Sequence, residues 1–142
     1  MLRYEIEKQL FNGELKVDDL PTAWNSMFKD WFGIEVPEDR LGCLQDIHWS
    51  MGAFGYFPTY TLGNLYAAQL LEAMSAELGD VDDLIGAGDW QPMLDWLRPR
   101  IHARGSLVSP AQIIEDATGS PPSPEPFLRY VERKYGALYG LD

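Results

Sequence analysis

The segment LGCLQDIHWSMGAFGYFPTY, residues 41–60, contains the side chains of this sequence best suited to chemistry. It brings an amide, a carboxylate and an imidazole close together in a run rich in aromatic residues: Gln45, Asp46, His48, Trp49, Phe54, Tyr56, Phe57 and Tyr60. Polar groups are costly to bury unless they are hydrogen-bonded, so this mixture predicts a polar pocket with aromatic walls. If residues 45–49 are helical, Gln45 and His48 lie at i and i+3 on one face. Trp49 would then lie beside them, with Asp46 turned away. Such a face could present an amide and an imidazole to a substrate carbonyl or carboxylate.

The role of His48 and the presence of a metal are separate questions. His48 is either a partly buried histidine whose hydrogen bonds are satisfied within the fold or a residue of a functional site, and spacing alone leaves both open. The sequence has two histidines, one cysteine and no HExxH motif, so a zinc site with three protein ligands is not visible. Asp46-x-His48 supplies two ligands at most, and His102 is more simply a charge favourable at a helix C-terminus. We therefore predict no metal ligands in this chain, and a buried, unreactive thiol at Cys43.

Charge and composition exclude several classes of protein. The 142 residues include 11 basic and 22 acidic side chains, a formal net charge of -11, and no Lys or Arg lies between residues 42 and 97. Because nucleic-acid binding needs clustered cations to neutralise phosphates, we expect no nucleic-acid partner. No apolar run approaches the roughly 18 residues of a membrane span, and a lone cysteine does not form an internal disulfide. We expect a soluble, cytoplasmic protein without a membrane partner.

The hydrophobic spacing predicts helices throughout, with no long alternating stretch that would require a sheet. The predicted helices lie at residues 2–11, 21–33, 58–79, 89–105, 109–117 and 123–140. Asp89 is the predicted cap of the fourth helix, and Ser109 opens a capping box with Gln112. The helix that begins at Pro58 is apolar on most of its circumference in its first half, which is typical of a helix buried on several sides. We therefore predict an all-α fold in a single domain over residues 1–142, because no linker is long enough to divide the chain.

A family resemblance becomes visible in the same polar and aromatic segment. Gly42-Cys43-Leu44-Gln45-Asp46-Ile47-His48-Trp49 matches the GxxQDxHW signature of the carboxypeptidase Taq family, the family 32 metallocarboxypeptidases, and FGYFPTYTLGNLYAAQ resembles its continuation. The similarity extends from LRYEIEKQL and DLPTAWN to EPFLRYVERKYG. It implies a mostly helical, cytoplasmic zinc exopeptidase, usually a homodimer, that removes C-terminal amino acids from peptides. The family's HExxH helix and its later glutamate ligand are not in this sequence, so the chain resembles the C-terminal quarter to third of such an enzyme.

The resemblance also implies roles for individual residues. It places four residues of the motif in the wall of the active-site cleft: Gln45, Asp46, His48 and Trp49. His48 would donate to the substrate carbonyl or to the tetrahedral oxyanion, with Tyr60 and Tyr56 as further hydroxyl donors near the substrate terminus. Zinc would be a cofactor of the complete enzyme only.

Three functions are consistent with these patterns. The first is a catalytically incomplete carboxypeptidase domain, completed by a separate N-terminal half that carries HExxH or assembled as a homo-oligomer. The second is a module that binds peptide C termini without turnover; the lack of Lys and Arg in residues 42–97 counts against it, because a carboxylate would need a cation from elsewhere. The third is a structural or regulatory partner of a longer relative. We expect no peptide hydrolysis by the chain alone, and we expect the helix at residues 58–71 to be partly exposed or covered by a partner.

Overall fold

A computed structural model describes residues 1–141 as a series of helices. The α-helices are α1 (Leu2–Phe11), α2 (Leu20–Phe32), α3 (Pro58–Leu78), α4 (Val81–Ala87), α5 (Gln91–Leu97), α6 (Pro110–Thr118) and α7 (Glu125–Tyr139). Short 3₁₀ turns lie at Val17–Asp19, Asp39–Leu41 and Trp49–Met51. The described residues contain no β-strand, so the all-α prediction is confirmed. Across residues 1–141, none of the helices combines the length and the apolar character needed to cross a membrane.

Local capping explains where several helices begin and end. The Ser109 side chain accepts a hydrogen bond from the Gln112 N–H at 3.3 Å, which confirms the predicted start of α6. Asp89 does not cap α5, which begins one residue after Trp90 without a side-chain cap. The predicted helix to residue 105 is α-helical only to Leu97 and continues as a π-helical turn, Arg98–His102. Pro99 explains the change, because it has no N–H to continue the i to i−4 ladder.

The chain divides into two groups of contacting residues, residues 1–61 and the residues from Leu62 onward. The boundary falls within α3, and the single-domain organisation stays a prediction. The core of the first group is formed by α1, α2 and the loop after α2, through Leu2, Ile6, Trp24 and Cys43. Ile6 is fully buried, and the Cys43 thiol is buried, as predicted. Burial, and secondarily the nearby Asp39 carboxylate, raise the pKa of that thiol.

The first glycine of the GxxQDxHW motif is required by close packing in this core. A Cβ atom on Gly42 would lie 2.7 Å from Val36 Cγ1 and 3.2 Å from Trp24 Cδ1 and Nε1. Carbon atoms in ordinary contact are about 3.5–4.0 Å apart, so no larger residue fits without movement. Gly42 therefore lets the chain before Asp46 lie directly against the Trp24 ring of α2.

The core of the second group is formed by Met74, Val81, Trp96 and Ala117, contributed by α3, α4, α5 and α6. The sequence pattern did not predict α4, which is too short for a periodic apolar stripe. Its local signal is Asp80, whose side chain accepts a hydrogen bond from the Asp82 N–H at 2.9 Å.

Gln69 of α3 holds the proline-rich connection between α6 and α7. Its side chain is buried and donates to Thr118 Oγ1 and to the carbonyls of Ser120 and Pro121, each at 3.1 Å. Its amide oxygen accepts from the Ser123 N–H at 3.0 Å. These four contacts satisfy the buried Gln69 amide. They also provide hydrogen-bond partners for backbone groups of a turn whose prolines have no N–H to donate.

The first half of α3 is not buried on several sides within the described chain. Tyr60 is 54% exposed and Leu62 is 43% exposed, whereas the fully buried residues of the helix, Gln69 and Met74, lie in its second half. An apolar circumference shows that a helix can be buried, but the neighbouring elements decide whether it is. Residues 58–71 are therefore partly exposed, as expected.

Candidate functional site

The segment that carries the predicted site residues is not a helix. Residues 45–48 form turns and bends, followed by the 3₁₀ turn Trp49–Met51. The predicted helical face, with Asp46 turned away from His48, is therefore wrong. The Asp46 carboxylate instead accepts a hydrogen bond from the His48 backbone N–H at 3.2 Å. Such a local side-chain bond offers the backbone an alternative to helix, and here it directs the carboxylate toward the imidazole.

Four polar side chains form one continuous hydrogen-bonded series, which we call the His48 network: Arg3, Asp46, His48 and Tyr60. Arg3 Nε donates to Asp46 Oδ2. The other oxygen of this carboxylate, Oδ1, lies 3.2 Å from His48 Nδ1. On the opposite side of the imidazole, Nε2 lies 3.2 Å from the hydroxyl oxygen of Tyr60. The network thus joins α1, the motif loop and the first turn of α3.

The network keeps Asp46 ionised. Burial, the largest single influence, raises the pKa of Asp46, but several opposing influences together outweigh it. The largest of these is the hydrogen bond from the His48 N–H, followed by the positive charge and the hydrogen bond of Arg3 and by the bond to the His48 ring. The net result is a pKa below the ordinary value for aspartate. At neutral pH, Asp46 is therefore a carboxylate that can only accept hydrogen bonds.

Aromatic rings enclose the imidazole. The His48 ring centroid lies 4.9 Å from that of Phe57 and 5.4 Å from that of Tyr56, both in tilted contacts, and 6.1 Å from the edge-on ring of Tyr60. An open cavity of about 350 Å³ lies against this group, lined by Met1, Arg3, Asp46, His48, Phe57, Tyr60 and Thr61. A quarter of the His48 side chain stays exposed, so the imidazole is within reach of a molecule in the cavity.

Not every predicted site residue faces the cavity. Gln45 is exposed and is not among the lining residues. Trp49 turns toward α1 and α2: its Nε1 donates to Glu7 Oε1 at 2.7 Å, and its ring packs edge-on against Trp24 at 6.2 Å. Tyr56 contacts two of the lining residues through its ring: His48 in a tilted arrangement and Tyr60 edge-on at 5.5 Å. The structure therefore places Asp46, His48 and Tyr60 together, supported by Trp49 and Tyr56, and leaves Gln45 at the surface.

Sequence reasoning missed two charged residues of α1 that support this site. Arg3 brings a positive charge to a cavity whose own segment has none, and its guanidinium lies over the rings of Trp24 at 5.0 Å and Phe57 at 5.3 Å. Glu7 is 4% exposed and accepts from Trp49 Nε1 and from the Gly55 N–H at 3.2 Å. Their i, i+4 spacing beside the apolar stripe of α1 was the available signal, because it places both on one face next to the core.

The donor atoms of this chain do not fit a zinc site. In residues 1–141, no three His, Cys, Asp or Glu side chains lie close enough together to hold a metal ion. Both ring nitrogens of His48 and both oxygens of Asp46 already have protein partners. A catalytic zinc site takes three protein ligands, so no step at this site is assigned to a metal held by this chain alone.

Comparison with known proteins agrees with the motif. Residues 1–135 match the sequence model of the carboxypeptidase Taq (M32) metallopeptidase family. The chain is 51% identical over 140 residues to thermostable carboxypeptidase 1 of Thermus thermophilus and 43% identical over 141 residues to carboxypeptidase 1 of Bacillus subtilis. Each of these matches covers 99% of this chain and 28% of the relative.

Solved structures give the same result for the fold. The M32 carboxypeptidase from Deinococcus radiodurans R1 superposes with a TM-score of 0.92 at 36% identity, over 98% of this chain and 28% of that one. Trypanosoma cruzi metallocarboxypeptidase 1 superposes with a TM-score of 0.89 at 43% identity, over 94% of this chain and 28% of that one. The predicted resemblance to the C-terminal part of such enzymes is confirmed, and the chain spans 28% of the length of these relatives. The chain belongs to the carboxypeptidase Taq (M32) metallopeptidase family.

Proposed function

We propose that this chain forms part of the substrate cleft of a metallocarboxypeptidase that removes C-terminal amino acids from peptides, and that it does not hydrolyse peptides alone. The observation that carries the proposal is the His48 network at the edge of an open cavity, in a chain of the M32 family. A carboxylate, an imidazole and a phenol in series are suited to place a proton donor beside a substrate oxygen.

Each member of the network has a distinct part in this proposal. His48, when protonated, presents Nε2–H toward the cavity and donates to the substrate carbonyl or to the oxyanion that forms from it. Tyr60 is the second donor on the same side, 3.2 Å from Nε2. Asp46 lies behind the imidazole and stabilises its positive charge. Preorganised donors of this kind typically contribute a factor of about 10²–10³ to the rate each.

The remaining chemistry is proposed to come from the region of such an enzyme that carries HExxH, which lies outside these 142 residues. Zinc in the complete enzyme supplies the activated water and polarises the scissile carbonyl. We propose that a separate N-terminal half carrying HExxH binds this chain, because Tyr60 and Leu62 of α3 leave apolar surface uncovered. A cytoplasmic location and assembly as a homodimer are further proposals, and light scattering on the purified chain tests the second.

The test is peptide hydrolysis by the purified chain with added zinc, alone and mixed with the HExxH-containing region of an M32 relative. We expect release of C-terminal residues only in the mixture, with a loss of about 10²-fold or more for His48→Ala. His102→Ala is the matched control, because His102 is the other histidine of the chain and is exposed. Zinc-dependent hydrolysis by the chain alone that disappears in His48→Ala would overturn the proposed inactivity, and full activity of His48→Ala in the mixture would overturn the cleft role.

Binding of peptide C termini without turnover is a second candidate, and one observation favours it. Arg3 supplies, from α1, the cation that residues 42–97 lack, and it is one of the residues that line the cavity. Calorimetric titration with a peptide and with its C-terminally amidated form distinguishes the two functions. Saturable binding of the free acid by the isolated chain, lost in the amidated peptide and in Arg3→Met, supports the binding module.

A further inference from the structure

We propose that Asp46 and Arg3 are positioning residues that hold the neutral His48 imidazole as the Nδ1–H tautomer, with Nε2 unprotonated toward Tyr60 and the cavity. The consequence for catalysis rests on the proposed function of His48. The tautomer itself does not, because it is a property of the resting chain that can be measured without substrate.

The position of the Asp46 carboxylate determines which ring nitrogen of His48 carries the proton. Asp46 Oδ1 lies 3.2 Å from both the backbone N–H and the ring Nδ1 of His48. An ionised carboxylate has no proton to donate, so the short Asp46–His48 contact requires the proton to be on Nδ1. In the neutral ring Nε2 is then an acceptor, and the nearby Tyr60 hydroxyl, at 3.2 Å, is the group that donates to it.

The orientation of the Asp46 carboxylate is fixed by hydrogen bonds to both of its oxygens. Arg3 Nε donates to Asp46 Oδ2, the oxygen that does not face His48. The guanidinium is itself held between two rings, 5.0 Å from the Trp24 centroid and 5.3 Å from that of Phe57. With one oxygen on a held cation and the other on a backbone N–H, rotation of the carboxylate would break two hydrogen bonds. These bonds fix the orientation of the carboxylate, with one oxygen facing the imidazole.

The consequence is a histidine whose proton transfer has a defined direction. Because Nδ1 is bonded to Asp46, any proton gained by the neutral ring arrives at Nε2, the nitrogen that faces Tyr60. The carboxylate then stabilises the imidazolium from behind without being protonated itself, and Nε2–H becomes the donor toward the cavity. Both Asp46 oxygens already have protein partners, so we assign Asp46 a role that acts through His48, within the wall of the cavity.

The first test is long-range ¹H–¹⁵N correlation NMR of the full, unmodified chain, recorded under conditions in which the spectrum itself shows a neutral His48 ring. We expect His48 to show a protonated Nδ1 and an unprotonated Nε2. The exposed His102 should show the Nε2–H form that a free histidine side chain prefers, so that both patterns can be compared in one spectrum. A His48 ring protonated at Nε2 would overturn the proposal. In the same sample, we expect the Arg3 Nε–H proton to exchange with water at least 10-fold more slowly than that of the exposed Arg133; equal rates would overturn the role of Arg3.

Two variants separate the effects of the two positioning residues. In Asp46→Asn, Arg3 and the His48 backbone N–H compete for the single amide oxygen. The hydrogen bond from the cation is the stronger, so the NH₂ group turns toward His48 Nδ1 and the ring switches to Nε2–H. Adding Arg3→Met removes that competition, so the oxygen returns to His48 and Nδ1–H is restored.

These outcomes stand apart from the proposed function. A single and a double variant with the same tautomer would overturn the role of Arg3, and circular dichroism checks that both variants keep their helices. Peptide hydrolysis by the chain or by a mixture does not enter any of these measurements, so failure of the proposed function would leave the tautomer result intact. If Asp46→Asn does not fold, the tautomer and exchange measurements on the unmodified chain decide the proposal.

Discussion

Gly42→Ala tests whether the packing of the motif loop against α2 determines the first glycine of the motif. The added methyl carbon would lie 2.7 Å from Val36 Cγ1, so Val36 must move by roughly 1 Å to reach ordinary contact. Val36 is β-branched and has few alternative rotamers, and the Trp24 ring, 3.2 Å from the same methyl, restricts it further. We expect overpacking to lower the free energy of unfolding by about 1–3 kcal/mol.

The assay is urea unfolding followed by tryptophan fluorescence and by far-ultraviolet circular dichroism. Gly63→Ala is the matched control, because Gly63 is inside α3 and no atom lies within 4 Å of the position its Cβ would occupy. The same substitution there should raise the free energy of unfolding by about 0.5–1 kcal/mol, since Ala is the better helix former.

A second variant attributes the effect to the contact. Val36→Ala removes the methyl that Gly42→Ala would strike, so the double variant should be more stable than the sum of the two single changes by about 0.5–3 kcal/mol. If Gly42→Ala is as stable as the unmodified chain, or if the effects of the two changes are additive, contact with Val36 is not what requires glycine at position 42.

Two further predictions concern the carboxylates of the site. The pKa of Asp46 is lower in the folded chain than its ordinary value of 3.8, so its stabilising contribution is present above pH 3.8 and is lost as the pH falls through the lower folded pKa. Between pH 7 and pH 2, the unfolding midpoint should therefore fall more for the unmodified chain than for Asp46→Asn. An equal fall in the two proteins would contradict the prediction. Glu7→Gln should cost about 1–3 kcal/mol, because the amide NH₂ must face one of two donors, Trp49 Nε1–H or the Gly55 N–H. In the same urea titration, Glu14→Gln at an exposed position should change the free energy of unfolding by less than about 0.5 kcal/mol. An equal effect of the two substitutions would contradict the stabilising role assigned to the two hydrogen bonds that Glu7 accepts.

Apart from α4, the α-helices of the described residues were predicted from local signals in the sequence. The helices predicted at residues 2–11, 21–33 and 109–117 and the Ser109 cap of α6 lie at or near their observed positions. These signals depend on contacts within about four residues, which a sequence displays directly. The Arg98–His102 turn departs from the prediction for an equally local reason, the missing N–H of Pro99, which the apolar stripe does not reveal.

The sequence predicted which segment holds the candidate site, but it did not predict how the side chains of the site contact one another. Residue types and the GxxQDxHW motif determined the family and the segment in which His48 lies. Only the tertiary structure decided that Asp46 faces His48, because a side-chain bond to the backbone replaced the expected helix. It also decided that Arg3, 43 residues away from Asp46, and Glu7, 42 residues away from Trp49, complete the surroundings of the site. Contacts between residues so far apart depend on how α1 packs against the motif loop. The spacing of residues along one helix shows which face of that helix is buried, but it does not show which residues of other elements contact that face.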